Sequence, residues 1–200
     1  MIKAVIFDWG GVVAPNPNGG WLGVLARILD TTVESLLPHW RAAGYTDLSK
    51  GIIDEATFWH QFETSFGQPL PSDIATVWAE GSALHPWPEM LSFVQELKTK
   101  NIRVALLSNT VRPMSIMAHQ AGLYEGFDLV VLSDEVGLTK PDPAMYQSLL
   151  DGLQLSATEC IYVDDLPKNL EPAATMGMTT ILASGDPSDT ISRIKLALDL

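Results

Sequence analysis

Cysteine, basic side chains and long apolar runs are all scarce in this sequence. Cys160 is the only cysteine among 200 residues, so no disulfide can form within the chain. Its apolar neighbours, Ile161-Tyr162-Val163, predict a packed strand residue rather than a reactive thiol. No apolar run approaches the roughly 20 residues of a membrane helix, and the N-terminus carries no cationic lead or cleavage site. We therefore expect a cytoplasmic protein without membrane partners.

The shortage of basic side chains makes the chain strongly acidic. Twelve lysines and arginines stand against 24 aspartates and glutamates, which gives a formal net charge of -12. That charge repels nucleic acid and anionic membrane surfaces, so neither is an expected partner. It would also repel an anionic substrate. A site that handles phosphate would need local positive charge from a metal ion or a lysine.

Apolar residues make up 46% of the chain, enough for one substantial core and a smaller appended unit. Five short runs rich in Val, Ile and Leu are predicted as buried strands: Ala4–Phe7, Arg103–Leu107, Leu129–Leu132, Cys160–Val163 and Thr179–Ala183. Helical spacing lies between most of them, in Glu89–Lys100, Ser115–Ala121, Ala144–Leu153 and Leu170–Met176. This alternation predicts an α/β fold with a doubly wound, mostly parallel sheet.

Residues 16–85 differ from the rest, because they contain helical patterns but no convincing strand. The predicted helices are Trp21–Leu29, Thr32–Ala43, Asp54–Phe66 and Pro71–Ala83. We expect residues 1–15 and 86–200 to form the α/β core, and 16–85 to be an inserted helical cap that excludes water from a site. Its four tryptophans are expected inside the cap: Trp21, Trp40, Trp59 and Trp78.

Polar side chains follow four of the five predicted strands. These are Asp8 after the first, Ser108-Asn109 after the second, Ser133-Asp134 after the third and Asp164-Asp165 after the fourth. Open parallel sheets bind ligands beyond the carboxyl ends of their strands. A carboxylate, a hydroxyl and a carboxylate pair at that edge are the parts of a metal-assisted transfer site.

Four motifs follow one another along the chain. The first is Val5-Ile6-Phe7-Asp8-Trp9-Gly10-Gly11-Val12-Val13 and the second Leu106-Leu107-Ser108-Asn109-Thr110. The third is Lys140-Pro141, and the fourth is Ile161-Tyr162-Val163-Asp164-Asp165 with Asn169. In this order they resemble the four motifs of the haloacid dehalogenase superfamily. The resemblance covers nearly all of the chain outside the cap. The run from Val163 to Leu170 is particularly similar to the phosphatase domain of soluble epoxide hydrolase.

The resemblance implies a hydrolase that acts on a small phosphate ester and uses Mg²⁺. Asp8 would be the nucleophile and form an aspartyl phosphate, with Lys140 as the second catalytic residue. The metal would bind Asp8, the carbonyl of Gly10 and Asp165, with Asp164 behind them or binding through water and Asn169 in support. Phosphate oxygens would be held by Ser108, by the backbone near Asn109 and by Lys140.

Gly10 departs from the family pattern, because most phosphatases of this superfamily have a second aspartate there that protonates the leaving group. Such acid–base help is worth about 10² to 10⁴ in rate. The preferred explanation is a substrate with a good leaving group, such as a sugar 1-phosphate, an acyl phosphate or an aryl phosphate. A cap side chain or an ordered water is a second explanation. A catalytically weak protein that serves as a binding or regulatory partner is a third.

A 2-haloacid dehalogenase, which uses the same nucleophile on carbon without Mg²⁺, is a further alternative. The pair Asp164-Asp165 argues against it, because these carboxylates and Asp8 would repel one another without a cation. The histidines His39, His60, His85 and His119 have no metal-site spacing and are expected to be structural or surface residues. A monomer and a homodimer are equally compatible with the sequence.

Overall fold

The computed structural model describes residues 1–16, 20–82 and 85–200. Within them, five strands form one parallel sheet in the order β3-β2-β1-β4-β5. The strands are β1 (Ala4–Phe7), β2 (Arg103–Ser108), β3 (Leu129–Leu132), β4 (Cys160–Asp164) and β5 (Thr179–Leu182). The predicted α/β fold with a parallel sheet is confirmed.

The central strands are apolar on both faces because helices cover both sides of the sheet. Every residue of β1 and β4 is buried. Cys160 is one of them, and burial, the largest influence, raises the pKa of its thiol to about 11. A thiol that is buried and protonated at neutral pH is a packing residue, as the sequence predicted.

Helices connect the strands and fill the region between β1 and β2. The helices of the described residues are α1 (Gly20–Ile28), α2 (Val33–Ala42), α3 (Tyr45–Ser49), α4 (Glu55–Phe66), α5 (Ile74–Ser82), α6 (Pro88–Thr99), α7 (Arg112–Gln120), α8 (Ser133–Val136), α9 (Pro143–Leu153), α10 (Pro167–Met176) and α11 (Pro187–Ala197). Five of them, α6, α7, α9, α10 and α11, have proline in the first two positions. Proline fits there because its fixed φ suits the helix, and because an N–H in the first turn has no acceptor within the helix, so its absence costs no hydrogen bond.

The sequence missed α3, α8 and α11, and it began α5 three residues early, at Pro71 instead of Ile74. The predicted end of that helix, Ala83, lies outside the described residues. No helix among the described residues has the length and apolar character needed to cross a bilayer.

The helices α1–α5 share a hydrophobic cluster that is separate from the two clusters flanking the sheet, and Val111 and Met114, just before and within α7, also belong to it. Trp40, Trp59 and Trp78 are buried in it, as expected for tryptophans that build the interior of this segment. Trp21 is only half-buried and packs edge-on against Trp78 at 6.0 Å between ring centroids. One tryptophan of the four therefore keeps a surface that other groups can contact.

The strand order places a topological switch beside β1. The chain leaves β1 to build β2 and β3 on one side, then returns to build β4 and β5 on the other. The connections diverge at this point, which leaves a crevice beyond the carboxyl ends of the central strands. Asp8 follows β1 directly, so its carboxylate stands at the crevice.

Candidate active site

The carboxyl ends of β1, β2 and β4 border a cavity of about 450 Å³. Seven of the residues predicted from the sequence line it: Asp8, Gly10, Ser108, Asn109, Lys140, Asp165 and Asn169. Asp164 is fully buried and contacts two of them, Lys140 and Asn169. Folding thus brings the four sequence motifs to one place.

Lys140 lies between two carboxylates. Its Nζ donates to Asp8 Oδ1 at 2.7 Å and to Asp164 Oδ2 at 2.8 Å, and its side chain is only 1% exposed. Burial, the largest single influence, lowers the pKa of Lys140, but the two carboxylates together raise it above its ordinary value. The site therefore contains a fixed positive charge at neutral pH.

The carboxylate of Asp164 receives all of its described hydrogen bonds from protein groups. Besides Lys140, it accepts hydrogen bonds from the Leu166 N–H at 2.9 Å, from Asn169 Nδ2 at 2.9 and 3.1 Å, and from the Tyr162 hydroxyl. Both of its oxygens have donors, so the described contacts make it a support for Lys140 and Asn169. Tyr162 was not identified from the sequence, where it is one more apolar strand residue.

Asp8 is held in place through both its backbone and its side chain. Its backbone N–H donates to Val163 O at 2.9 Å, and its side chain is paired with Lys140. Burial raises the pKa of Asp8 from 3.8 to about 7, Lys140 opposes this rise, and Asp164 adds to it. Ionised Asp8 is therefore costly in this cavity, and a bound cation would reduce that cost.

Asp165 approaches the backbone of the first motif closely. Its Oδ2 accepts a hydrogen bond from Asn16 Nδ2 at 3.3 Å. Gly11 has φ +78°, and a Cβ on it would lie 2.6 Å from Asp165 Cγ. Only glycine leaves room for this carboxylate. The sequence did not predict this contact, and the paired glycines of the first motif are the feature that could have indicated it.

The Asn109 side chain binds the main chain of Lys140. Asn109 Nδ2 donates to Lys140 O at 3.0 Å, and Asn109 Oδ1 accepts from the Lys140 N–H at 2.8 Å. This two-bond clamp fixes the loop that carries the lysine. A contact from Asn109 to a ligand would therefore come from its backbone.

The carboxylates form a cluster suited to a hard cation. One oxygen each of Asp8, Asp164 and Asp165 lies within 4.8 Å of the others. Three carboxylates against the single ammonium of Lys140 leave two negative charges when all are ionised. Oxygen ligands and excess negative charge are what Mg²⁺ requires. Asn169 Oδ1 is buried without a donor among the described residues, which leaves an acceptor for a water beside such an ion.

An apolar wall forms another part of the cavity. We use this name for six lining residues: Trp9, Trp21, Met114, Met117, Leu123 and Tyr124. Trp9 and Tyr124 pack edge-on with ring centroids 5.2 Å apart. Sequence reasoning assigned none of these residues to the site. His85, expected to be structural or at the surface, also lines the cavity.

The polar pair after β3 is not part of the cavity lining. Ser133 Oγ donates to Thr110 O and accepts from the Thr110 N–H, both at 2.9 Å. Asp134 accepts a hydrogen bond from Ser115 Oγ at 2.6 Å. These residues brace the loop after β2 and the start of α7 instead.

The fold and the cavity together define an α/β enzyme whose polar groups stand at the carboxyl ends of its central strands. Residues 2–177 match the family described as haloacid dehalogenase-like hydrolase, and the chain belongs to that family. It is therefore a hydrolase, and the resemblance seen in the sequence is confirmed.

Two relatives differ greatly in length from each other. The sesquiterpene phosphatase astK of Aspergillus oryzae is 30% identical over 183 residues, which cover 88% of this chain and 87% of that protein. Acyl-CoA dehydrogenase family member 10 of Mus musculus is 29% identical over 188 residues, which cover 90% of this chain. The matched part is only 18% of that mouse protein.

Solved structures share the fold at lower sequence identity. A haloacid dehalogenase-family enzyme from Bacteroides thetaiotaomicron, in complex with magnesium and inorganic phosphate, has a TM-score of 0.76 and 21% identity, covering 94% of this chain and 98% of that one. The L-2-haloacid dehalogenase RSc1362 has a TM-score of 0.73 and 20% identity, covering 97% of this chain and 99% of that one. At these identities the likeness concerns the fold alone.

Proposed function

We propose that this protein is a Mg²⁺-dependent phosphatase that hydrolyses a small phosphate ester through an aspartyl phosphate on Asp8. The single observation that carries the proposal is the buried arrangement of Asp8, Lys140 and Asp164, with Asp165 close by. It pairs a carboxylate nucleophile with fixed positive charge and a cation-binding cluster in one cavity. A relative that is named as a phosphatase and is similar over most of its length supports the same reaction.

The metal would be held by Asp8, the backbone carbonyl of Gly10 and Asp165. Asp164 stands behind them, since its oxygens already have protein donors. Asn169 supports the site through its contacts with Asp164. When bound, Mg²⁺ supplies positive charge that offsets the repulsion between the Asp8 carboxylate and a phosphate dianion.

The remaining roles follow from charge and position. A carboxylate oxygen of Asp8 forms a bond to phosphorus as the bond to the alcohol oxygen breaks, and water then hydrolyses the aspartyl phosphate and restores Asp8. Lys140 places its ammonium beside the reacting oxygen. Ser108 and the backbone near Asn109 donate hydrogen bonds to the phosphoryl oxygens. Helices α1–α5 act as a cap that excludes water from the active site.

Gly10 leaves the leaving group without the usual proton donor, so we propose a substrate whose alcohol departs easily. The second explanation, a side chain that replaces the missing acid, has a specific candidate in His85, which lines the cavity. Histidine is the side chain best suited to exchange a proton near neutral pH. Both explanations are compatible with Asp8 as the nucleophile.

Two alternatives compete with a phosphatase. A catalytically weak binding or regulatory protein would keep the cluster and bind phosphate without turning it over. A 2-haloacid dehalogenase is the second alternative, because the fold shared with RSc1362 does not by itself distinguish the two reactions. It is opposed by the three clustered carboxylates, which a metal-independent reaction would leave in mutual repulsion.

Measuring phosphate release from a panel of phosphate esters, with Mg²⁺ and with chelator, distinguishes the phosphatase from these alternatives. Metal-dependent release that is lost in Asp8→Asn is the expected result. Halide release from haloacids without metal would replace the phosphatase with a dehalogenase. Binding of inorganic phosphate with Mg²⁺, but no turnover of any ester, would favour the binding protein.

A further inference from the structure

Helix α7 presents an apolar face to the cavity that contains Asp8. Met114, Met117 and Ala118 of this helix and Ala121, which caps its C-terminal end, all line the cavity and follow one another at i, i+3, i+4 and i+7. This spacing places them on one side of a helix. The turn that follows adds Leu123 and Tyr124 to the apolar wall.

Part of this wall is not covered by the protein. Met117 is 38% exposed although it points into a cavity, whereas Met114 on the same face is 8% exposed. Trp21 of α1 also lines the cavity and is half-buried. Apolar surface in a concave site is stabilised by a ligand that removes it from water, and methionine adapts to the shape of such a ligand.

We propose that the substrate is a phosphate monoester of an apolar alcohol, whose hydrocarbon part packs against the apolar wall. This inference rests on the proposed phosphatase function. The cavity of about 450 Å³ holds more than a phosphate group, and its size is that of sites for organic ligands. A sugar placed against methyl groups, thioethers and ring faces would lose hydrogen bonds to water without replacing them.

The absence of a proton donor at Gly10 narrows the proposed substrates to phosphate esters of aromatic alcohols. When Asp8 attacks phosphorus, the electron pair of the breaking P–O bond passes to the alcohol oxygen. A phenol oxygen holds that charge in its ring and takes a proton from solvent afterwards, so it does not require a donor in the place of Gly10. Water then cleaves the aspartyl phosphate, which yields inorganic phosphate and free Asp8. Aryl phosphates thus satisfy both the wall and the missing acid.

Two matched pairs of esters separate apolar recognition from leaving-group chemistry. Phenyl and 2-naphthyl phosphate share a phenolic leaving group but differ in apolar area, while glycerol 1-phosphate and hexyl phosphate are primary alkyl esters of different polarity. With Mg²⁺ we expect kcat/KM to rise about tenfold or more from the first to the second member of each pair. Equal values, or a preference for the first member, would overturn the inference.

A pair of variants on α7 tests the wall directly. Met117→Gln should lower kcat/KM for 2-naphthyl phosphate about tenfold, because it places an amide against the naphthyl ring. Ile116→Gln is the matched control, since Ile116 is 44% exposed on the same helix and does not line the cavity. A loss in both variants, or in neither, contradicts the proposed contact.

Calorimetric titration with 2-naphthol in chelator distinguishes failure of this inference from failure of the phosphatase proposal. If 2-naphthol binds and Met117→Gln weakens it, the apolar site stands even if no ester is hydrolysed. If esters are hydrolysed with Mg²⁺ but 2-naphthol does not bind, the phosphatase stands and the apolar substrate class is wrong.

Discussion

Replacing Lys140 by methionine tests the buried charge arrangement on which the site depends. Lys140 is 1% exposed and the side chains of its partners Asp8 and Asp164 are 12% and 0% exposed, so water compensates little for the lost ammonium. Removing one partner from a buried ion pair costs about 3 to 5 kcal/mol of the free energy of unfolding. For a chain of this size that corresponds to a decrease of roughly 6 to 20 °C in Tm.

The decrease in Tm caused by Lys140→Met should depend on pH. The pKa of Asp8 in the folded protein is raised to about 7, so ionising Asp8 costs folding free energy and stability falls as pH rises from about 4 through about 7. Lys140 lowers the pKa of Asp8, so without it that pKa is higher still and the fall in stability continues to higher pH. The Tm difference between wild type and variant should therefore be larger at about pH 8 than at about pH 5.

Differential scanning calorimetry in chelator at both pH values provides the assay. Lys100→Met is the control, because Lys100 is an exposed lysine at the end of α6. It should leave Tm nearly unchanged at either pH. A loss below about 2 °C in Lys140→Met at the higher pH, or one of equal size at both, would refute the reasoning.

Three substitutions test other parts of the site. Gly11→Ala should displace Asp165 and weaken Mg²⁺ binding about tenfold in calorimetric titration. Gly67→Ala is the control, because Gly67 also has a positive φ but a Cβ added there has no atom within 4 Å, so this variant should bind Mg²⁺ normally. Equal affinities in both would contradict the close packing. Gly10→Asp should raise kcat on hexyl phosphate by up to about 10² if a missing acid limits turnover, and an unchanged kcat would oppose that account. His85→Gln should lower kcat on hexyl phosphate more than on acetyl phosphate if the imidazole donates the proton; an equal effect would exclude that role.

The core of the fold could be predicted because its strands are short and entirely apolar. The observed strands agree with the predicted runs to within a residue at each end; β2, for example, ends at Ser108 rather than Leu107. The helix α8 was missed because its four residues are too few to show a helical period. The helix α11 carried readable signals, since Asp186 accepts a hydrogen bond from the Ser188 N–H and Pro187 opens the helix.

The candidate site was predictable as far as residue types at strand ends indicate chemistry. The contacts of each residue were not, because they are made with segments that are distant in the sequence. Residue type does not distinguish Asp164 from Asp165, and only the family resemblance implied different roles for them. In the structure the first is enclosed by protein donors, and the second contacts Asn16 and the Gly11 backbone.

The apolar wall illustrates a different limit. The spacing of Met114, Met117 and Ala118 is visible in the sequence as an apolar helix face, but such a face is ordinarily covered by the core. Helix α7 packs against α5 and α8, and part of its face is left over the cavity. Its role depends on where the helices between β1 and β2 lie, which periodicity does not specify.

Acid quenching during turnover tests the central claim most directly. The protein would be mixed with 2-naphthyl phosphate and Mg²⁺, quenched in acid and digested, and the peptide that carries Asp8 examined by mass spectrometry. We predict that this peptide gains one phosphoryl group, that the gain requires Mg²⁺, and that Asp8→Asn abolishes both the gain and phosphate release. Phosphate release that continues in Asp8→Asn would contradict the proposal that Asp8 is the nucleophile.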